Sequence, residues 1–363
     1  MRLVTRADFD GIVCGSLITL MEEIDSYLFV EPKFMQDGDV DILRGDIIAN
    51  LPYHPNCTLW FDHHITNAPA WRSHIGVQGS EFRVPSSQPG TQNPEPETPT
   101  IVPGKGGFRI APSAARVVYE YYTEGNRLRH HDWRISPRHN ALRLRRIRRI
   151  RLKQAIGNRK IEERIKILES ERMKYLLEEA DKVDAAQLTP EDVLHPAGYV
   201  LLSMTIDGKY TEDEPYWLRL IELLREKTLE ETMSDPEVKR RCRKILDDQE
   251  KLKQILLERT TLKGNVIFTD LRGVKEIPDG NRFLIYTLFP SGSISMKIAD
   301  DSQRPNTTAI SVGYNIFHTT SKVNVGALME QHGGGGHRVV GSCRVPKDEA
   351  EKHIREIFEA IKE

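Results

Sequence analysis

Short apolar runs alternate with helical patterns along the first 75 residues. Residues 2–5 predict a strand, and residues 12–23 predict the helix that follows it. Further short strands are expected at 29–30, 46–49 and 58–61. Strands that alternate with helices are typical of a parallel α/β sheet, so we expect the N-terminal part to be an α/β domain.

This pattern is interrupted between residues 78 and 107, where Pro, Gly, Ser, Thr and Gln dominate and apolar residues are sparse. A segment of this composition buries too little apolar surface to fold by itself, so a mobile loop is expected there. Pro112 and Ser113 then predict the start of a helix that continues through Tyr122.

The segment 127–153 is strongly basic, with ten Arg and one Lys against the single acid Asp132. Its latter half predicts a helix that continues into residues 161–180. Two interpretations stay open. The segment is either a solvated helical hairpin or a basic insertion that contacts nucleic acid or another polyanion through its arginines.

The C-terminal half combines helical and strand patterns. Helices are expected over 217–229 and 235–259, at 325–331 and from Lys347 onward, and strands over 266–270, 283–288, 294–298 and 341–345. We therefore predict a two-lobed α/β protein. Its parts are a larger, mostly parallel-sheet domain over 1–234, a linker helix over 235–260 and a smaller α/β domain over 261–363.

Composition says little about partners, because 52 Lys and Arg balance 53 Asp and Glu. The four cysteines lack the spacing of a zinc site or a disulfide framework, so reduced thiols are expected. No apolar run approaches the roughly 20 residues of a transmembrane helix, and Asp8 and Asp10 interrupt any signal-peptide pattern. These features predict a soluble cytoplasmic protein with no membrane partner.

The triplet Asp62-His63-His64 directly follows the apolar residues 58–61. Two imidazoles and a carboxylate are costly to crowd together unless an ion lies among them. The end of a strand is also where an open α/β sheet places its ligands. The triplet therefore predicts a metal or phosphate site.

Asp8 and Asp10 stand two residues apart at the end of the first predicted strand and open the helix after it. Paired carboxylates near imidazoles suit hard or borderline cations such as Mg²⁺ or Mn²⁺. Helix capping by Asp10 is the structural alternative.

Four consecutive glycines, Gly333 to Gly336, precede His337 and Arg338. Backbone N–H groups of glycines approach anions closely, and these two side chains add donors for phosphate oxygens. Gly334, Gly335, Gly336, His337 and Arg338 are therefore predicted to bind a substrate phosphate. A flexible linker is the alternative, but a helical pattern before the run and a strand pattern after it disfavour that interpretation.

Taken in their order along the chain, Asp8-x-Asp10-Gly11 and Asp62-His63-His64 resemble the catalytic motifs of the DHH superfamily of phosphoesterases. Gly333 to His337 resembles the glycine-histidine signature of the DHHA-type C-terminal domain. The resemblance covers nearly the whole chain. It implies a catalytic domain that binds one or two Mn²⁺ or Mg²⁺ ions, and a C-terminal domain that binds the terminal phosphate or nucleotide of the substrate. A bound metal ion would activate water for attack on phosphorus.

The resemblance also implies roles for single residues. Asp8, Asp10 and His63 would bind metal, Asp62 would bind metal or orient its neighbours, and His64 would bind metal or donate a proton to the leaving group. A fourth motif fits residues 180–186, where Asp184 is preferred over Asp181 as the metal ligand. Asp207 is a weaker candidate.

Two positions depart from the family pattern. Arg6 stands where the family commonly has His, and Asn50 stands where it has a metal-bridging Asp. A neutral amide should weaken a second metal, and Arg6 would act in catalysis as a fixed positive charge in place of that ion. Asp46 would be the alternative ligand if the strand register differed.

The sequence thus predicts a metal-dependent phosphoesterase that cleaves short oligonucleotides or dinucleotides from an end. A second hypothesis within enzymes is an exopolyphosphatase or pyrophosphatase. A third is a non-catalytic protein that binds nucleotides or phosphate on the same fold.

Overall fold

The computed structural model describes residues 1–75, 101–102, 104–131, 160–301 and 304–362. They divide into two compact units, one formed by Met1–Ala185 with Ile206–Glu237 and the other by Ala186–Thr205 with Val238–Glu363. The predicted boundary at 234 is close to the observed one, but residues 186–205 group with the C-terminal unit. The predicted linker helix groups with that unit from Val238 onward.

Strands and helices are interspersed along both units. The strands are β1 (Arg2–Thr5), β2 (Ser26–Phe29), β3 (Ile47–Ala49), β4 (Leu59–Asp62), β5 (Ile101–Val102), β6 (Gly106–Phe108), β7 (Thr260–Lys263), β8 (Val266–Asp270), β9 (Ile294–Asp300), β10 (Thr307–Tyr314), β11 (Gly335–His337) and β12 (Val340–Pro346). The helices are α1 (Phe9–Met21), α2 (Pro32–Asp37), α3 (Ala68–Ile75), α4 (Ala114–His131), α5 (160–168), α6 (Glu171–Asp184), α7 (Pro190–Leu194), α8 (Gly198–Ser203), α9 (Glu214–Glu226), α10 (Leu229–Ser234), α11 (Pro236–Arg259), α12 (Leu284–Leu288), α13 (Val325–Glu330) and α14 (Ala350–Ile361). Short 3₁₀ turns lie at Ile65–Asn67 and Thr211–Asp213.

The N-terminal unit is built on a sheet with the strand order β2-β1-β3-β4-β6-β5. The first five strands in this order pair in parallel, and only β5 runs antiparallel to its neighbour. Thr5 pairs with Ala49 and Ala49 with Phe61, so the last residues of β1 and β3 lie level with Phe61 of β4. Every residue of β3 and β4 is buried, as expected for central strands of a parallel sheet. The predicted mostly parallel sheet is confirmed.

Several predicted boundaries in this unit need correction. Residues 101–102 and 106–108 form strands, although all of them except Phe108 fall within the predicted mobile loop, whose remainder lies mostly outside the described residues. The predicted helix over 161–180 is two helices, because Ser170 accepts a hydrogen bond from Met173 N as the N-cap of α6. The basic segment 127–153 belongs to α4 up to His131, and its other residues lie outside the described part.

The C-terminal unit is built on a second sheet, with the order β11-β12-β10-β9-β8-β7. Its neighbouring strands are antiparallel except for β8 and β9. Buried side chains of β9, β10 and β12 pack with those of α13 and α14, for example Ile298, Ile310, Met329 and Ile357. The predicted α/β class of this domain is confirmed.

One predicted strand of this unit is wrong. Residues 283–288 were expected to be extended, but α12 covers Leu284–Leu288. Asn281 starts this turn of helix, since its side-chain oxygen accepts a hydrogen bond from Phe283 N at 3.0 Å. The N–H of Asn281 in turn donates to the buried Gln249 at 3.0 Å. Tertiary contacts therefore override the strand propensity of this apolar run.

Candidate active site

Three central strands of the parallel sheet end side by side and carry the predicted motifs at the same edge. β1 leads into Arg6 and Asp8, β3 into Asn50, and β4 into His63. Gly11 allows the turn after β1 to close on α1, because a side chain there would lie 2.1 Å from the carbonyl oxygen of Arg6. The carboxyl edge of the sheet thus collects the functional side chains, as the strand pattern predicts.

Asp10 is buried in the first turn of α1 and is held by the start of another helix. Its two carboxylate oxygens accept hydrogen bonds from the backbone N–H groups of Ala114 and Ala115, each at 2.9 Å. These N–H groups carry the partial positive charge of the N-terminus of α4. Burial nevertheless raises the pKa of Asp10 well above its usual range, and the neighbouring charges of Asp184 and Asp8 raise it further. The capping interpretation of Asp10 is wrong, because Asp8 is the N-cap of α1.

His63 presents an unpaired nitrogen to two acids. Its Nδ1 lies 2.9 Å from the carbonyl oxygen of Ala111, which requires a proton on Nδ1, so in the neutral ring the lone pair is on Nε2. Among the described residues, this buried Nε2 has no hydrogen-bond partner. It lies 3.4 Å from Asp184 Oδ2 and 4.0 Å from Asp10 Oδ2. We name Asp10, His63 and Asp184 the ligand cluster, since one ligand atom from each lies within 4.8 Å of the others.

Asp184 and Asp181 are three residues apart on α6 but have different surroundings. Asp181 accepts hydrogen bonds from Arg116 of α4, from Nε at 2.9 Å and also from Nη2. Ser113, which directly precedes α4, donates to Asp181 from Oγ at 2.6 Å. Asp184 instead faces His63, and burial raises its pKa. The structure thus places Asp184, the preferred acid of the fourth motif, beside His63.

Arg6, Asp8 and Asn50 form a second group, which we name the arginine cluster. Asp8 Oδ1 accepts hydrogen bonds from Gly11 N at 2.8 Å and Asn50 Nδ2 at 3.1 Å, and its Oδ2 lies 3.1 Å from Arg6 Nη1. Arg6 also donates from Nε to Glu31 at 3.2 Å. Asp8 was predicted to bind metal, but three donors from the protein already engage its oxygens.

Asp62 and His64 form a hydrogen-bonded pair. Asp62 is fully buried, and its Oδ1 lies 2.8 Å from Nδ1 of His64. The other oxygen accepts a hydrogen bond from Asn67 at 2.6 Å. The hydrogen bond with Asp62 raises the pKa of His64 above its ordinary value although burial opposes the shift. The His64 side chain is 49% exposed, so it is accessible to a substrate.

Two other candidate acids lie elsewhere. Asp46 precedes β3 and therefore lies at the amino edge of the sheet, where Arg2 donates to both of its oxygens and Leu43 N donates at 2.7 Å. The alternative prediction of Asp46 as a metal ligand is wrong, because the register leaves Asn50 at the carboxyl edge. Asp207 accepts a hydrogen bond from the N–H of Lys209 at 3.0 Å within its own turn.

The glycine segment lies in the C-terminal unit and includes β11, which pairs with β12. Side chains at Gly334 and Gly336 would lie 2.1 Å and 2.3 Å from carbonyl oxygens of Ser342 and Val340, so close packing requires both glycines. Around Gly335 there is open space, and His337 and Arg338 are exposed. Close packing thus accounts for two of the glycines, and their predicted contact with phosphate stays a prediction.

Sequence reasoning missed five residues that position this site: Asn67, Glu31, Ala111, Ala114 and Ala115. They act through a side-chain amide, a carboxylate, a backbone carbonyl and two backbone N–H groups. Every residue except proline offers the same backbone N–H and C=O groups, so a contact made by the backbone cannot be recognised from the residue type. The one signal for them was the predicted start of a helix near Ser113, because helix N-termini bind carboxylates.

Searches with family models and against curated proteins find no match to this chain. Solved structures do match. One is a pGpG-specific phosphodiesterase, PggH, from Vibrio cholerae, with a TM-score of 0.71 and 28% sequence identity over 99% of this chain and 98% of that one. Another is RecJ from Thermus thermophilus in complex with Mn²⁺, with a TM-score of 0.48 and 12% identity over 98% of this chain and 51% of that one.

Proposed function

The chain belongs to the DHH superfamily of phosphoesterases, and we propose that it is a metal-dependent phosphodiesterase that cleaves dinucleotides and short oligonucleotides from an end. The observation that carries the proposal is the unpaired Nε2 of His63, which faces two acids at the carboxyl edge of the sheet. The likeness to a pGpG-specific phosphodiesterase along nearly the whole chain supports a dinucleotide substrate.

The ligand cluster fits a divalent cation. The buried Nε2 of His63 lacks a hydrogen-bond partner, and one carboxylate oxygen each of Asp10 and Asp184 lies close enough to bind the same ion. Burial and, after it, the charges of Asp184 and Asp8 raise the pKa of Asp10, and a positive ion would offset both effects. A bound ion of this kind supplies a water molecule of lowered pKa for attack on phosphorus. The mixed nitrogen and oxygen ligands favour Mn²⁺ over Mg²⁺, which prefers oxygen alone.

The arginine cluster provides a fixed positive charge on the same edge. Arg6 is held by Asp8 and Glu31 but its side chain is 39% exposed, so its guanidinium remains accessible to a phosphate oxygen. Because the oxygens of Asp8 accept hydrogen bonds from Gly11 and Asn50 and pair with Arg6, we propose that the site holds one ion. Arg6 then neutralises the negative charge that a second ion would otherwise stabilise.

His64 is proposed to donate the proton to the leaving oxygen. Asp62 Oδ1 fixes the ring by accepting a hydrogen bond from the Nδ1–H of His64. In the protonated ring, the Nε2–H is then the group left to face a substrate. The raised pKa keeps the protonated form populated closer to neutral pH. In the C-terminal unit, the backbone of Gly335 and Gly336, with His337 and Arg338, is proposed to bind a substrate phosphate, whereas the N–H of Gly334 already donates to Met329 O.

The location is proposed to be the cytoplasm. All four cysteines are free and buried, as in reducing compartments. Within the described residues, no helix combines the length and apolar character required to cross a membrane.

Contact with nucleic acid through 127–153 also stays a proposal. It predicts that affinity for longer oligonucleotides falls steeply as the salt concentration increases.

Hydrolysis of pGpG by the metal-free protein, before and after addition of Mn²⁺, tests the proposal. We expect release of GMP only with Mn²⁺, and slower cleavage as the oligonucleotide is lengthened. Release of phosphate from polyphosphate or pyrophosphate at a higher rate would instead favour the exopolyphosphatase hypothesis. Binding of pGpG without turnover in Mn²⁺ or Mg²⁺ would contradict an enzyme and favour a binding protein.

A further inference from the structure

The C-terminal unit contains another group of metal-binding side chains, which shares no residue with the proposed catalytic site. His332 lies in the turn after α13, and His353 and Glu356 lie three residues apart on α14. One ligand atom from each of these three residues lies within 4.8 Å of the other two. We name them the histidine cluster.

The two imidazoles of this cluster face each other through the same type of atom. Nδ1 of His332 lies 2.8 Å from Nδ1 of His353. Two protonated nitrogens would repel at this distance, so at least one of them carries a lone pair. Two nitrogens bound about 2.05 Å from one ion are about 2.9 Å apart at a right angle and about 3.4 Å apart at a tetrahedral angle. The observed separation is therefore close to that of two adjacent ligands of a single ion.

Two carboxylates lie near the pair of imidazoles. Glu356 is exposed and completes the set of three ligand atoms. Glu349, one turn before His353, places its Oε2 3.7 Å from Nε2 of His353. That contact resembles the carboxylate that often orients a metal-binding imidazole through its other nitrogen. The His353 side chain is 19% exposed, so an ion can enter from solvent.

We propose that His332, His353 and Glu356 bind a divalent transition-metal ion that links the turn before the glycine segment to α14. Two imidazoles with one carboxylate suit Ni²⁺, Co²⁺ or Zn²⁺, whereas Mg²⁺ and Ca²⁺ prefer oxygen ligands. Gly333 directly follows His332, and the N–H of Gly334 donates to Met329 O at 2.9 Å. An ion on His332 therefore restrains the backbone that leads into Gly335 and His337.

Equilibrium dialysis of the untagged full-length protein against Ni²⁺ tests this site. The wild type should bind one more ion than His353→Gln, because the catalytic cluster contributes equally to both proteins. His318→Gln, the same change at an exposed histidine of this unit, should bind as many ions as the wild type. Equal stoichiometry in the wild type and His353→Gln would overturn the proposal.

A second variant keeps the test decisive if His353→Gln folds poorly. Glu356→Gln changes only an exposed side chain, and we expect its Ni²⁺ affinity at this site to fall roughly 10-fold or more. Hydrogen exchange of the peptide 331–337 should slow on Ni²⁺ addition in the wild type and not in His353→Gln. Unchanged Ni²⁺ affinity in Glu356→Gln would contradict a site built from these three residues.

Discussion

The ligand cluster and the arginine cluster lie at the same edge of one sheet, but they differ in whether the protein itself supplies partners for their polar atoms. In the ligand cluster, an imidazole nitrogen is unpaired and burial raises the pKa of both acids. In the arginine cluster, the single acid Asp8 already has an arginine, an amide and a backbone N–H as partners. Two acids beside an unpaired imidazole nitrogen therefore adjoin an acid that is already paired with an arginine. The comparison teaches that neighbouring strand ends of one sheet can differ in whether the protein itself supplies the positive partner of an acid.

The largest expected effect is that of His63→Gln, which removes the unpaired nitrogen of the ligand cluster. Loss of a direct ligand should reduce kcat/KM for pGpG about 10³-fold, equivalent to about 4 kcal/mol of transition-state stabilisation. His54→Gln is the matched control in the same unit, and its rate should equal that of the wild type. A His63→Gln enzyme with the full rate would show that the ligand cluster is not the catalytic centre.

Arg6→Gln tests whether the arginine cluster contributes a charge to catalysis. We expect kcat/KM to fall roughly 10²-fold, as for loss of one group that stabilises developing charge. Arg6→Lys should recover part of this loss, because it keeps the charge but not the planar group that contacts both Asp8 and Glu31. Arg44→Gln, at an exposed arginine, serves as the control. Equal rates in Arg6→Gln and Arg44→Gln would limit Arg6 to a structural role.

Asn50→Asp would make the two clusters more alike. Asn50 has a left-handed backbone with φ of 57°, which Asp also tolerates, so the change acts mainly through charge. Without metal, the new carboxylate facing Asp8 should lower the free energy of unfolding by about 1–3 kcal/mol. With Mn²⁺, dialysis should detect one additional ion. Asn56→Asp, which also removes an amide donor in this unit, should gain none.

Asp184→Asn has the smallest expected effect, on the stability of the metal-free protein. Burial raises the pKa of Asp184 in the folded state, so the unfolded chain loses this proton at lower pH and stability falls as pH increases above about 4. Asn has no titratable proton, so the variant does not lose stability in this way as the pH increases. Its melting temperature should exceed that of the wild type by a few degrees at pH 7 and by less near pH 4.

Asp181→Asn provides the contrast on the same helix. It leaves Arg116 without its carboxylate partner, so the protein should become less stable while its Mn²⁺ affinity stays unchanged. If Asp181→Asn rather than Asp184→Asn weakened Mn²⁺ binding, the assignment of the two acids would be reversed.

The sequence predicted the limits of those strands and helices that a local pattern of residues determines. The limits of β1 and β8 and the start of α11 were predicted correctly, since each combines an apolar pattern with clear end signals. The prediction failed at residues 283–288, where contacts through Asn281 and Gln249 decide between helix and strand.

The candidate site shows the same division. The motifs identified Asp10 and His63, because residue type and strand position carry that information. The family pattern already favoured Asp184 over Asp181, and the structure adds the physical reason, because α4 supplies Arg116 as the partner of Asp181. Arg6 and Gly11, two of the partners of Asp8, are its neighbours in sequence, but the third, Asn50, follows another strand, and no local pattern reveals that contact.

The number of ions at the sheet edge tests the central claim most directly. Anomalous diffraction from crystals soaked in Mn²⁺ measures both number and position. We predict one peak at the carboxyl edge of the first sheet, next to His63 Nε2, Asp10 and Asp184, with Arg6 still paired to Asp8. Two peaks at that edge bridged by Asp8, or no peak beside His63, would contradict the account.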